Sequence, residues 1–146
     1  MDIREAREED LRGLLELYTQ LHENPLPDID EDIEKLWRRI LDDRNQHILL
    51  GLENRKIVSS CVIVIVPNLT HGQRPYAFIE NVITDENNRH QGNATAILEC
   101  ARKIAEKEHC YKIMLMTGSK QESTLHFYEQ AGYNRKDKTA FIQWLA

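Results

Sequence analysis

With 146 residues and a 41% apolar share, the chain is sized for one compact domain over 1–146 with enough apolar side chains to fill its core. A formal charge of −5 argues against a nucleic-acid surface, which needs a basic stripe, but it leaves room for a cationic substrate such as an amine. Cys61, Cys100 and Cys110 have no metal-ligand spacing and read as reduced thiols, the start Met1-Asp2-Ile3-Arg4-Glu5 lacks a signal-peptide pattern, and the run from Cys61 to Val66 is too short to span a bilayer. The expectation is a cytoplasmic protein with no metal and no membrane partner.

Asp2 to Arg4 reads as a short edge strand. Glu8 to His22 places Leu11, Leu14, Leu15, Tyr18 and Leu21 at helical spacing. Asn24-Pro25-Leu26-Pro27 stops that helix, since proline lacks the amide proton and restricts its predecessor. Asp28 or Asp30 caps a second helix with Ile33, Leu36, Trp37, Ile40 and Leu41 on its apolar face. His47 to Leu52 and Lys56 to Val66 are rich in β-branched residues and are joined by a polar Glu53-Asn54-Arg55 turn, which predicts a hairpin.

A polar loop follows from Pro67 to Pro75, then a strand from Tyr76 to Thr84. Asn93 to Glu108 is helical, with Ala94, Ile97, Leu98, Ala101, Ile104 and Ala105 facing inward. Lys112 to Thr117 is a strand, Glu122 to Ala131 a helix, and Ala140 to Leu145 a closing strand. The order β-α-α-β-β-β-α-β-α-β is that of an α/β protein with a mixed sheet and helices on both faces. By itself this order fits several folds and carries little about function.

The informative stretch runs from Phe78 to Thr95. A strand enters a polar loop, Glu86-Asn87-Asn88-Arg89-His90-Gln91-Gly92, which opens straight into a long helix. First-turn amides have no carbonyl partner inside a helix, and the dipole is positive there, so the loop suits a phosphate-type anion. It is no P-loop, because Gly-Lys-Ser/Thr is absent, and its one glycine does not make a dinucleotide fingerprint.

Arg89-His90-Gln91-Gly92-Asn93-Ala94 resembles the Arg/Gln-x-x-Gly-x-Gly/Ala signature of the GNAT N-acetyltransferases. Downstream, Phe127-Tyr128-Glu129-Gln130-Ala131-Gly132-Tyr133 resembles that family's second signature, Phe-Tyr-Glu-x-x-Gly-Phe/Tyr. The resemblance is well carried from about Ile48 onward and implies a GNAT fold with six to seven strands. It implies acetyl-CoA as co-substrate, with pyrophosphate on the amides of Arg89, His90, Gln91, Gly92, Asn93, Ala94 and Thr95. The backbone of Val82, Ile83 and Thr84 would lie along the pantetheine arm, and the amides of Val82 and Ile83 would polarise the carbonyl. Tyr128 takes the place of the family's general acid near the sulfur. Gln121 stands where an asparagine is frequent.

Glu80 is a carboxylate inside an otherwise apolar strand, where an unpaired charge is costly. It either orients or deprotonates the amine, or makes an ion pair at the cleft. Ile79-Glu80-Asn81-Val82 resembles the glucosamine-6-phosphate acetyltransferase branch, except that Asn81 replaces an aspartate and cannot act as a base. Arg74, in a loop expected to overhang the acceptor cleft, either grips an anionic group of the acceptor or is solvated. His71 reads as a surface residue and Asp28–Asp32 as the acidic start of a helix. The resulting expectation is direct acetyl transfer in a ternary complex to a small-molecule primary amine. Acetylation of a protein N-terminus or lysine, and a non-catalytic acyl-CoA-binding module, are the alternatives, and a homodimer is left open.

Overall fold

Antiparallel pairing builds most of the sheet. Strands β1 (Asp2–Glu5), β2 (Gln46–Glu53), β3 (Lys56–Val66), β4 (Tyr76–Thr84) and β5 (Ile113–Leu115) stand in the order β1-β2-β3-β4-β5. The first three neighbouring pairs are antiparallel. Asn54 and Arg55, with φ of 50° and 68°, make the two-residue turn between β2 and β3 that matches strand twist. At the last pair, Tyr111 N–H donates to Pro75 C=O and Ala77 N–H to Lys112 C=O, both at 3.0 Å. The partners advance together, so β5 runs parallel to β4 and the sheet is mixed. The computed structural model describes residues 1–22 and 24–146, which form two compact units, Met1–Met114 and Leu115–Ala146.

In the first unit, a 3-10 turn at Glu8–Asp10 leads into α1 (Leu11–Tyr18), followed by α2 (Glu31–Asp42) and α3 (Asn93–Lys107). The long helix expected from Glu8 is thus shorter and starts tighter. Asp10 explains the tight start, because its carboxylate accepts from Arg7 N–H at 2.7 Å and from both Arg4 terminal nitrogens at 2.7 and 3.0 Å. Asp30 caps α2, accepting from Ile33 N–H at 2.9 Å. Trp37, 4% exposed, donates its indole N–H to Glu8 C=O and ties α2 to the 3-10 turn.

One core cluster joins Leu14, Leu17 and Trp37 of the helices to Ile48, Leu50, Val62 and Ile83 of the sheet. Residues of opposite parity, including Leu49, Ile63 and Ile79, are buried too, as are Ile97, Leu98 and Ala101 of α3, which packs across β2, β3 and β4. Because strand side chains alternate faces, α1 and α2 cover one face and α3 the other. A sheet buried on both faces explains the near-continuous apolar run of β3.

The second unit holds α4 (Glu122–Gln130). Its end is a Schellman motif, with Gly132 at φ 103°, Gly132 N–H on Glu129 C=O and Tyr133 N–H on Tyr128 C=O, each at 3.0 Å. Among the described residues the sheet has five strands, not six to seven, because the strand expected at Ala140–Leu145 does not form. Instead Phe141, Ile142, Trp144 and Leu145 are 90%, 61%, 85% and 88% exposed. Apolar, β-branched composition says that a segment would suit a half-buried sheet surface, and it leaves open which edge would pair with it.

Candidate active site

The register of β3 against β4 breaks at one place. Val62 pairs with Glu80 and Ser60 with Ile83, so Cys61 alone faces the two residues Asn81 and Val82. This is a β-bulge, and Asn81 sits in it with φ of 53°. Asparagine tolerates that left-handed conformation better than most residues. The bulge has a consequence for side chains. Glu80, paired with the core residue Val62, lies on the α1/α2 face, and so does Ile83 three residues later, whereas Ile79 lies on the α3 face. Glu80 and Asn81 are exposed. β5, three residues long, accompanies only the first half of the nine-residue β4.

Beyond β4 the chain forms a braced loop. Asp85, 5% exposed, accepts from Asn87 N–H at 2.9 Å and from Gln20 Nε2 at 3.1 Å, while Gln20 Oε1 accepts from Glu86 N–H at 2.9 Å. The Asn87 amide, then Gln20, Lys56 and Arg89, hold the Asp85 carboxyl below its ordinary range, against the opposing effect of desolvation. Arg89 donates to Thr84 C=O, and the buried Asn93 side chain donates to Asn88 C=O at 3.1 Å. His90 and Gly92 are left-handed, at φ of 62° and 81°. Gly92 caps α3 with no side-chain hydrogen bond, and a Cβ placed there would meet no atom within 4 Å. The first backbone bond of α3 is Ala96 N–H to Gly92 C=O, so the amides of Asn93, Ala94 and Thr95 come before any intrahelical acceptor. Backbone donors at the positive end of a helix, with open space at Gly92, suit a diphosphate.

The family model described as the acetyltransferase (GNAT) family matches residues 11–133. The chain belongs to the GNAT family. It is 30% identical over 142 residues to a glucosamine 6-phosphate N-acetyltransferase of Trypanosoma brucei brucei, covering 94% of this chain and 92% of that protein. Among solved structures it is similar to an Agrobacterium tumefaciens putative acetyltransferase, at 35% identity and a TM-score of 0.91, with 99% and 100% of the two chains covered. Glucosamine-6-phosphate N-acetyltransferase of Arabidopsis thaliana, at 21% identity and TM-score 0.85 over 98% and 97% of the chains, shares the fold. The protein is therefore an acetyl-CoA-dependent N-acetyltransferase, and GNAT enzymes use acetyl-CoA as co-substrate.

In this GNAT chain the first unit brings Glu80, Val82, Ile83 and Thr84 onto one strand leading directly into the loop 89–95. It does not bring Arg74 there. Arg74 precedes the start of β4, and its Nε and Nη2 donate to the carbonyls of His109 and Cys110 at 3.0 and 2.9 Å. About seven residues of extended chain, on the order of 20 Å, separate Arg74 from the bulge. Its planar fork is engaged just past the end of α3. His71 is stacked on Tyr111, with centroids 3.8 Å apart and planes at 11°.

In the second unit, Tyr128 makes edge-to-face contacts with Phe127 at 5.1 Å and Tyr133 at 6.3 Å. Gln121 is the N-cap of α4 and makes no side-chain cap bond. A concavity of about 450 Å³ between α1 and the β2–β3 turn, lined by Glu9, Glu16, Gln20, Arg55 and Lys56, meets the loop only at Asp85. It contains neither Glu80 nor Gly92, and so it is not where the chemistry assembles. Among the described residues no group of three or more His, Cys, Asp or Glu could hold a metal, and no helix is long and apolar enough to cross a membrane.

Sequence reasoning missed Gln20. Gln20 lies just past the end of α1 and braces the loop through Asp85 and Glu86. No local signal separates it from its neighbours, because its partners lie 65 and 66 positions away.

Proposed function

We propose that this enzyme transfers the acetyl group of acetyl-CoA to the primary amine of a small molecule by direct attack in a ternary complex. The observation that carries the reading is the bulge. It puts Ile83, in place of Val82, on the face of the exposed Glu80, a few residues before an anion-receptive loop. Pyrophosphate binds the backbone donors of Arg89–Thr95, and the pantetheine arm runs along the edge of Val82–Thr84. The amine nitrogen bonds to the thioester carbonyl carbon and the C–S bond breaks. Amides of Val82 and Ile83 stabilise the oxyanion. Glu80 takes the amine proton, directly or through a water, and the Tyr128 hydroxyl protonates the departing thiolate.

Both units act as one acetyltransferase domain in this reading, which is supported by a family match that crosses their division. The trypanosome relative points to an aminosugar, free or phosphorylated, as the first acceptor to try. The exposed apolar segment Phe141–Leu145 supports a homodimer that covers it, and the cytoplasm is the compartment we assign. A CoA-release assay over aminosugars, polyamines, amino acids, aminoglycosides and peptides tests the proposal. Turnover on a small amine is the expected result. Turnover on peptides alone would make this a protein acetyltransferase, and acetyl-CoA binding without any CoA release would make it a binding module.

A further inference from the structure

The concavity between α1 and the β2–β3 turn lies apart from Glu80 and Gly92, yet it is built like a ligand site. Its volume of about 450 Å³ falls within the range of about 300–1,000 Å³ usual for small-molecule pockets. The buried Leu17 and Ile57 give it an apolar floor. Gly13 lets α1 lie against the start of β3, since a Cβ there would stand 3.0 Å from Ile57 Cδ1.

The walls carry opposite charge. Glu9 and Glu16 stand on the 3-10 turn and α1, and Arg55 and Lys56 on the β2–β3 side. No ion pair joins these two sides among the described residues. Glu16 pairs along its own helix with Arg12 at 3.5 Å, Lys56 reaches Asp85 at 3.9 Å, and neither Glu9 nor Arg55 is in an ion pair. Arg55 also stands at φ 68°, the second position of a turn where glycine is favoured. Strain of this kind is expected where a side chain has work to do.

Gln20 and Asp85 belong both to this wall and to the brace of the loop 89–95. Asp85 N–H donates to Val58 C=O at 2.7 Å, so Asp85 is tied to the start of β3, whereas Gln20 follows α1. A ligand bridging α1 to the β2–β3 turn therefore holds the two partners of the brace together.

We propose that this concavity is an effector site for a small zwitterion, its ammonium beside Glu9 and Glu16 and its anionic group on Arg55 and Lys56, whose binding tightens the hold on acetyl-CoA. The coupling rests on the acetyltransferase reading above, whereas the site itself does not.

Calorimetry with γ-aminobutyrate, 6-aminohexanoate and phosphoethanolamine tests it, with butylamine and inorganic phosphate as controls of single charge. At least one zwitterion binds with a Kd of about 1 mM or below, and about tenfold tighter than either control. CoA replaces acetyl-CoA, so that no amine is acetylated. Saturating zwitterion lowers the Kd of CoA about threefold, and CoA lowers that of the zwitterion by the same factor, as linkage requires. Arg55→Gly suits the turn, so its thermal midpoint is no lower than that of the wild type. Its affinity for CoA alone stays within about twofold, yet it binds the zwitterion about tenfold more weakly, and Glu16→Gln on the opposite wall does likewise. Zwitterions that bind no better than the controls, or wild-type binding in both variants, would overturn the site. A zwitterion that binds without moving CoA affinity would overturn its role as effector. A wild type that binds no CoA would sink the functional reading instead, and the zwitterion titration alone tells these failures apart.

Discussion

Tyr76–Ile79 and Glu80–Thr84 are halves of one strand, and they differ in almost every physical respect. In the first half alternation is strict, with Ala77 and Ile79 0% and 1% exposed. Its entrance is tied down. Arg74 holds the carbonyls of His109 and Cys110, Tyr111 stacks on His71, and the Lys112 ammonium lies 5.5 and 5.3 Å from the ring centres of Tyr76 and Tyr111. In the second half alternation slips by one residue, two polar side chains are exposed, and the chain continues into a loop with left-handed His90 and Gly92. The regular half burdens no residue with strain and carries stability. The irregular half breaks the local rules in the stretch proposed to face the ligands, which is where such breaks are expected.

The variant that should test this contrast most severely is Gly92→Asp. A side chain at φ 81° strains the backbone by about 1–3 kcal/mol, and its carboxylate faces the diphosphate, so acetyl-CoA affinity should fall about five-hundredfold. Calorimetry checks this, and unchanged affinity would remove the loop from the site. Next in size is Tyr128→Phe in the second unit, expected to lower kcat about a hundredfold with acetyl-CoA affinity intact, as loss of a general acid does. Full turnover, with product release shown not to limit the rate, would leave Tyr128 as the residue whose carbonyl and ring complete the Schellman end of α4.

Asp85→Asn probes the brace where the strand becomes the loop. Losing charge-assisted bonds from Asn87 and Gln20 should cost about 1–2 kcal/mol at neutral pH and weaken acetyl-CoA about fivefold. Because the Asp85 carboxyl is held below its ordinary value, its stabilisation is fully present above the unfolded-state value of about 3.9 and is lost as pH falls through the folded one. Denaturation of both proteins at neutral and at strongly acid pH should therefore show a gap that closes in acid. Arg74→Ala is the smallest effect, about 1 kcal/mol of stability with acceptor KM within about twofold, as expected for surface hydrogen bonds at a helix end. A tenfold rise in KM would return Arg74 to the acceptor and undo the division of β4 into two halves.

What could be read without tertiary structure is confined to short stretches. β3 and β4 fall where β-branched runs placed them, Lys56–Val66 and Tyr76–Thr84. Gly92 and Gly132 are legible because each serves a left-handed turn at a helix end, set by bonds that span a few residues. The two signatures around them sufficed to name the family. Other features depended on partners distant in sequence. Arg74 finds its carbonyls 35 and 36 residues away, and Gln20 finds Asp85 and Glu86 65 and 66 residues away. Ile83 comes to share the face of Glu80 through a register slip opposite Cys61, which the neighbouring residues do not signal. Ala140–Leu145 has a strand's composition and forms no strand. Caps and turns close bonds within one or two turns of chain, so local sequence decides them, whereas a side chain's distant partner is decided only when the sheet and helices have packed.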